Sequence, residues 1–262
     1  MTLLNRTPRG VRLTKAGWAF LEEARRVMQS IDQAKFRARA TAAGFQGTLR
    51  IALTADVGRA RLSALLALSR QEEPEIKIQL FKVSLTQLVQ GLHTDLFDAG
   101  LAVTSKVDET IIATPLWVDP LQVVLPARHP LLAFKEVPLE DMASYPFVLM
   151  DTKACEGCGQ QIEYLLRSIE AQPTVAEYVN SHSLMLTLVS AGYGVGFSSH
   201  VHLEGYQQAD VVARPLAGQS ISLTTYLLRS EAKLSEPLKQ FISRAERLES
   251  SSTRVPFQSS EK

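Results

Sequence analysis

Cysteine is nearly absent: the 262 residues hold two, Cys155 and Cys158, which excludes the disulfide framework of a small secreted scaffold. No apolar run reaches the roughly 18 residues needed to cross a bilayer. The first twenty residues scatter arginines among small and polar residues, where a secretory leader needs a continuous apolar stretch. No membrane partner is expected, and the cytoplasm is the expected compartment. Enzyme signatures are missing too, since the chain has no G-x-S-x-G, no G-x-x-x-x-G-K-[ST] and no H-E-x-x-H. Gly192–Gly196 is glycine-rich, but it follows a predicted helix and enters a strand, whereas a dinucleotide loop needs the reverse order. Two cysteines alone make a poor zinc site. No catalytic residue, metal or cofactor is therefore assigned, and an enzyme is not expected.

What is present is a globular composition, 45% apolar and 21% charged, with ample material for a core. The formal net charge of +1 hides an asymmetry. Residues 1–50 carry ten Lys/Arg against three Asp/Glu, and the remainder eighteen against twenty-four. A basic end on an acidic body suggests contact with a polyanion at that end only.

The basic end has its own pattern. Arg6-Thr7-Pro8-Arg9-Gly10 is a turn between the β-prone pieces Leu3-Leu4 and Val11-Arg12-Leu13, which predicts a tight hairpin. Thr14 is a good N-cap for a helix from Lys15 to about Ala43 that contains no proline and one early glycine, Gly17. Along it Leu21, Ala24, Met28 and Ile31 recur at alternating spacings of three and four, continuing through Lys35, Ala38 and Ala42. A stripe this narrow calls for a partner helix, most simply its copy in a dimer. Gly44–Gly47 reads as a C-cap and short linker.

Beyond the linker, strands and helices alternate. Strands are predicted at Thr48–Leu53, Lys77–Val83 and Phe97–Val103, with helices Arg61–Glu72 and Thr86–His93 between them, an order that implies a parallel sheet with right-handed crossovers. Ile111–Leu116 and Pro120–Leu125 read as two further strands. A second α/β unit follows: strand Phe147–Met150, helix Gly159–Ser168, strand Thr174–Val179, helix Ser183–Ala191 and strand Gly194–Ser198. Ile221–Leu228 is a long strand and Glu236–Glu249 a closing helix. Two such units form a cleft, and ligands bind where strand carboxyl ends face it.

These residues resemble the LysR-type transcriptional regulators. Arg6–Gly17 resembles the wing and linker-helix start of that family, Gly47–Ile51 the entry to its effector-binding domain, and Leu96–Leu101 a strand within it. Leu125–Leu131 is similar to its crossing into the second lobe, and Leu188–Gly196 to another recurrent segment. The resemblance runs from residue 3 to about residue 249. It implies an α/β fold in four parts: a residual wing at 1–14, a linker and dimerisation helix at 15–46, a periplasmic-binding-protein-like effector domain at 47–249 and a flexible tail at 250–262. The effector domain would hold two Rossmann-like lobes, one about 47–127 and 221–249, the other about 128–220. The family opens with a helix-turn-helix, and here only its wing is present, so either Met1 is a misplaced start or the chain is a truncated sensor. Arg6, Arg9 and Arg12 suit phosphate contacts, which position a protein without reading sequence. Sequence-specific DNA contact is thus expected only through a longer form or a partner subunit.

For the cleft, the resemblance points to Thr54 and Asp56 after the first strand, and to Ser84, Thr86 and Gln87 at the start of the second helix. On the other lobe it points to Asp151, Thr152, Asn180 and Ser181. Ser84 and Ser181 serve equally well as helix caps. Asp56 disfavours an anionic effector unless a cation such as Arg59 offsets it. The expected partners are a small-molecule effector, DNA, and a second copy or four copies of the chain. Two other readings stand beside the regulator: a stand-alone solute-binding protein, and a redox-responsive regulator using Cys155-Glu156-Gly157-Cys158, a C-x-x-C placed after a strand at a helix start. His182 and His200 with Ser181, Ser199 and Asp151 contain the residue types of a triad, a combination common in α/β proteins.

Overall fold

The structure is a computed structural model that describes residues 1–7, 10–42, 45–54, 57–153, 155–167, 173–203, 210–218, 221–231 and 234–252. The chain divides into two units, Met1–Thr48 with Glu75–Lys77, and Leu49–Pro74 with Ile78 onward.

In the first unit, β1 (Leu4–Thr7) and β2 (Gly10–Leu13) form an antiparallel hairpin with Leu4 opposite Leu13. Gly10 has φ +135°, which favours glycine. Helix α1 spans Lys15–Ala42, 28 residues and about 42 Å. Thr14 caps it by accepting the Gly17 N–H at 2.9 Å, as its sequence position requires. Gly17 has a steric role as well: a Cβ there would stand 2.0 Å from the Leu3 carbonyl oxygen, so only glycine lets the helix start pass the hairpin. On the stripe, Leu21 and Ala24 are half-buried, while Met28 and Ile31 are exposed in the single chain. Past the helix, Gln46 donates its N–H to the Glu75 carbonyl at 3.0 Å.

The second unit is built on a mixed sheet of order β10-β6-β11-β5-β3-β4, with β9 also beside β6. Its first part follows the alternating order, as β3 (Gly47–Leu53), α2 (Arg59–Glu72), β4 (Ile76–Lys82), α3 (Leu85–His93) and β5 (Ala99–Ala102). Strands β3 and β5 are parallel, Leu53 opposite Leu101. Helix α3 seats on β5 through Gly100, where a Cβ would fall 2.5 Å from the Leu88 side chain.

The two strands expected at 111–125 are one, β6, running Ile111–Pro126. Pro115 and Pro120 do not break it because they fall where pairing changes. The register with β11 (Ser222–Ser230) shifts between Thr225 and Tyr226, opposite Trp117 and Pro115, and Pro120 faces Ser222 at the end of β11. Beyond Pro120 the strand is flanked by β9 (Gly196–Ser199) and β10 (Val211–Pro215), both antiparallel to it. A proline that lacks a donor fits such a handover better than the middle of a ladder.

After β6 come a 3-10 turn (Pro130–Ala133), α4 (Leu139–Met142), β7 (Phe147–Met150), α5 (Glu156–Leu166), β8 (Val175–Val179), α6 (His182–Ser190), β9, α7 (His200–Leu203), β10, β11 and α8 (Glu236–Ser252). Strands β7 and β8 pair in parallel, and Phe147 makes a parallel bridge to Val195. Helix α5 begins three residues before the expected Gly159, because Cys155 takes the cap position. The closing helix passes Glu249 to Ser252, and the rest of the expected tail lies outside the described residues.

Two apolar clusters among the described residues help hold this unit. One gathers Phe147, Val148, Ile162, Leu186 and Phe197 around β7, with the Phe147 and Phe197 rings stacked 5.8 Å apart. The other gathers Leu88, Leu92, Phe97 and Leu228 around α3 and β5. Polar ties fasten α8 to α2 and β6. Arg244 pairs with Glu72 and Glu73, Arg61 bonds both Asp119 and Glu249, and the Trp117 indole donates to the Ala245 carbonyl at 3.2 Å.

Candidate functional site

A cavity of about 320 Å³ opens where parallel strands end. Thr54 follows β3, Lys82–Ser84 end β4 and lead into α3, Val103 and Thr104 follow β5, Lys153 follows β7, and Asn180 follows β8; all of them line it. A pocket at strand carboxyl ends is where an α/β sheet places ligands, because helix starts and loop side chains converge there.

The walls are fixed by local hydrogen bonds. Ser84 and Gln87 form a capping box at the start of α3: the Gln87 N–H donates to Ser84 Oγ at 3.2 Å, and the Ser84 N–H donates to Gln87 Oε1 at 3.1 Å. With its oxygen engaged, Gln87 has its amide NH₂ to offer, and Ser84 its hydroxyl proton. The Thr54 N–H donates to the Leu101 carbonyl at 3.1 Å, and its hydroxyl lies 3.5 Å from the same oxygen. Asp151 accepts the Lys153 N–H at 2.8 Å, an Asx turn that sets the segment carrying the lysine.

Charge tips the cavity toward anions. Lys82 and Lys153 face one carboxylate, Glu156. The N-terminal turns of α3 and α5 also border it, through Ser84, Leu85, Glu156 and Gly157, and helix N-termini carry partial positive charge with unpaired amides. Apolar wall comes from Val83, Leu85, Ala102 and Val103.

Of the residues expected at a cleft, Thr54, Ser84, Gln87 and Asn180 lie together on this wall. Thr86 is exposed on α3 and is not among the lining residues. Asp151 and Thr152 support the wall from outside it, Thr152 packing where Gly159 leaves room. Ser181 caps α6, accepting the Leu184 N–H at 3.3 Å. Asp56 lies outside the described residues, as does Arg9; Arg6 and Arg12 are exposed on the hairpin. Sequence reasoning missed Lys82, Thr104, Lys153 and Glu156. Their shared signal is position, at or within three residues of the ends of β4, β5 and β7, or opening α5.

His182 and Ser199, noted in the sequence, take partners other than those of the imagined triad. His182 Nε2 lies 2.7 Å from Ser198 Oγ, His202 Nδ1 lies 2.7 Å from Ser199 Oγ, and the two rings are 4.9 Å apart. Burial, with His202 and the Arg59 guanidinium nearby, pushes His182 down to about 3. The Asp151 carboxylate is turned to the Lys153 amide instead. Cys155 and Cys158 are buried and unbridged.

Comparison with known proteins gives a consistent result. Residues 42–249 match the model of a family described as the LysR substrate binding domain. An uncharacterized HTH-type transcriptional regulator of Escherichia coli K12, YnfL, is 31% identical over 194 residues, 74% of this chain and 65% of that protein. The chain thus aligns with just under two thirds of that relative's length. HcaR, the hca operon transcriptional activator of the same organism, is 28% identical over 92% of this chain and 80% of its own. Among solved structures, the BenM effector-binding domain with its effector benzoate superposes with TM-score 0.73 at 20% identity, covering 83% of this chain and 99% of that one. The effector-binding domain of QuiR in complex with shikimate gives 0.68 at 21% identity, covering 78% and 98%. At these identities the superpositions establish the fold.

Proposed function

The chain belongs to the LysR substrate-binding-domain family, and from that premise we propose that it is the sensing part of a cytoplasmic transcriptional regulator whose cavity takes a small carboxylate. The observation that carries this reading is the cavity at the strand ends, with Lys82, Lys153 and two helix starts on its wall. The relatives are transcriptional regulators, and the ligands named for the two structural neighbours, benzoate and shikimate, are both carboxylates. In this reading residues 47–127 with 221–249, and residues 128–220, act as two lobes whose spacing the ligand biases. The bias equals the ligand's differential affinity for the two arrangements. The α1 helices pair two copies of the chain, and the regulator binds DNA.

Titration calorimetry with small carboxylates, beginning with benzoate and shikimate, tests the reading. A carboxylate should bind, its neutral amide should not, and Lys153→Met should weaken binding about tenfold, the scale of one charge-assisted hydrogen bond. Equal affinity for acid and amide would remove the anion from the proposal, and binding indifferent to Thr54→Val with Ser84→Val would remove this cavity.

A further inference from the structure

The C-x-x-C segment and the cavity share residues. Cys155 is the N-cap of α5 and Cys158 stands at N3, a spacing that puts both side chains on one face of the first turn. Glu156 and Gly157, between them, line the cavity. Helices α3 and α6 are capped by serine hydroxyls that accept an amide proton; α5 has a thiol in that place, and sulfur is a weak acceptor. Neither thiol is in a disulfide, and the residues are 3% and 8% exposed.

Geometry ties a bridge here to the wall. Residues three apart on a helix hold their Cβ atoms about 5–6 Å apart, and a disulfide needs about 3.5–4.5 Å. Closing the bridge therefore draws the two Cβ atoms together by roughly 1–2 Å, and the residues carried with them are Glu156 and Gly157.

We propose that Cys155 and Cys158 are a reversible dithiol–disulfide pair, oxidised by low-molecular-weight disulfides, whose closure reshapes the cavity wall and weakens ligand binding. The weakening rests on the cavity's proposed occupant; the bridge and the wall movement do not. Cys158, the more exposed of the two, loses its proton to solvent, and its thiolate attacks one sulfur of the small disulfide. The S–S bond breaks and a small thiolate leaves. Cys155 then gives up its proton and attacks the Cys158 sulfur of the mixed disulfide, releasing the second small thiolate. Two protein thiols are oxidised, one small disulfide is reduced, and the two protons end on the two small thiols. Burial makes attack wait for an opening of the first turn. A ligand seated on Glu156 and Gly157 opposes closure, and linkage requires it to shift the redox equilibrium by the same factor that oxidation shifts its affinity.

The test equilibrates the whole chain in glutathione redox buffers, maps the disulfide by proteolysis and mass spectrometry, and measures amide hydrogen exchange in both states. The expected product is an intrachain Cys155–Cys158 bridge reversed by reduced glutathione, with exchange at Glu156 and Gly157 changed at least about fivefold, the low end of linked-site coupling. Cys155→Ala should stop at the mixed disulfide; the wild-type measurements decide the matter even if that variant does not fold. No reaction under native conditions, a stable glutathione adduct on the wild type, or bridges between chains would overturn the pair, and unchanged exchange at the wall would overturn the movement. Benzoate titration of both states completes the test. Equal binding to both overturns the weakening, while a bridge and an exchange shift without benzoate binding in either state uphold the wall movement and count against the cavity's occupant.

Discussion

His182 is kept neutral by its surroundings. Its ring is largely removed from water, bonded to Ser198 and tilted against the His202 ring, with Arg59 adding positive charge. Unfolded, an ordinary histidine titrates near 6.5; folded, His182 is held at about 3. Between these values the unfolded chain binds a proton that the native chain refuses. Stability therefore falls as pH drops from about 6.5 toward 3, by at most about 1.4 kcal/mol per pH unit, and this contribution is flat above 6.5. His182→Gln retains a group able to bond Ser198 but cannot titrate. Urea unfolding at pH 7 and pH 5 should show the wild type losing about 1–2 kcal/mol more than the variant over that interval. Equal losses would mean that His182 does not set the acid limb.

At the scale of elements, α3 sets its own cap on the cavity wall. Ser84 completes a capping box and also lines the cavity, and substitution separates the two roles. Ser84→Ala loses the cap and should cost about 1 kcal/mol. Ser84→Asn retains a capping oxygen, so its unfolding midpoint should stay near the wild type's while carboxylate affinity falls, because the hydroxyl is gone. A variant that retains affinity in calorimetry would leave Ser84 as a cap only.

The same element marks what the chain's pattern revealed. Local apolar patterning located α2, α3, β7 and α6 to within a few residues, with the caps Ser84 and Ser181 marking α3 and α6. The Thr14 cap was legible for the same reason. The continuity of β6 was not, because it depends on partners more than seventy residues away that let Pro115 and Pro120 sit where no ladder donor is needed. Lys82 and Lys153 were illegible as a pair, because only the fold brings the end of β4 to the segment after β7. Thr86 was read toward the cavity from its place at a helix start, and helical rotation turns it to solvent.

At the scale of the whole molecule, charge and cavity belong to different units. Nine of the ten basic residues in the first fifty fall in Met1–Thr48, along with the long helix, while every residue lining the cavity lies in the second unit. The second unit contains the two apolar clusters described above and the ion pairs that fasten α8, so a fragment of residues 47–252 should fold alone. It should bind a carboxylate within about twofold of the full chain, because additivity holds for distant, independent sites. It should lose self-association through α1, since Leu21 and Ile31 are removed, and most of its affinity for random-sequence duplex DNA. That affinity is a counterion-release term that scales with the phosphates contacted. Sedimentation and DNA titration at two salt concentrations check both losses. The full chain should show a steep fall in DNA affinity with salt and the fragment almost none; a fragment that still associates and still binds DNA with the same salt slope would place both functions in the second unit instead.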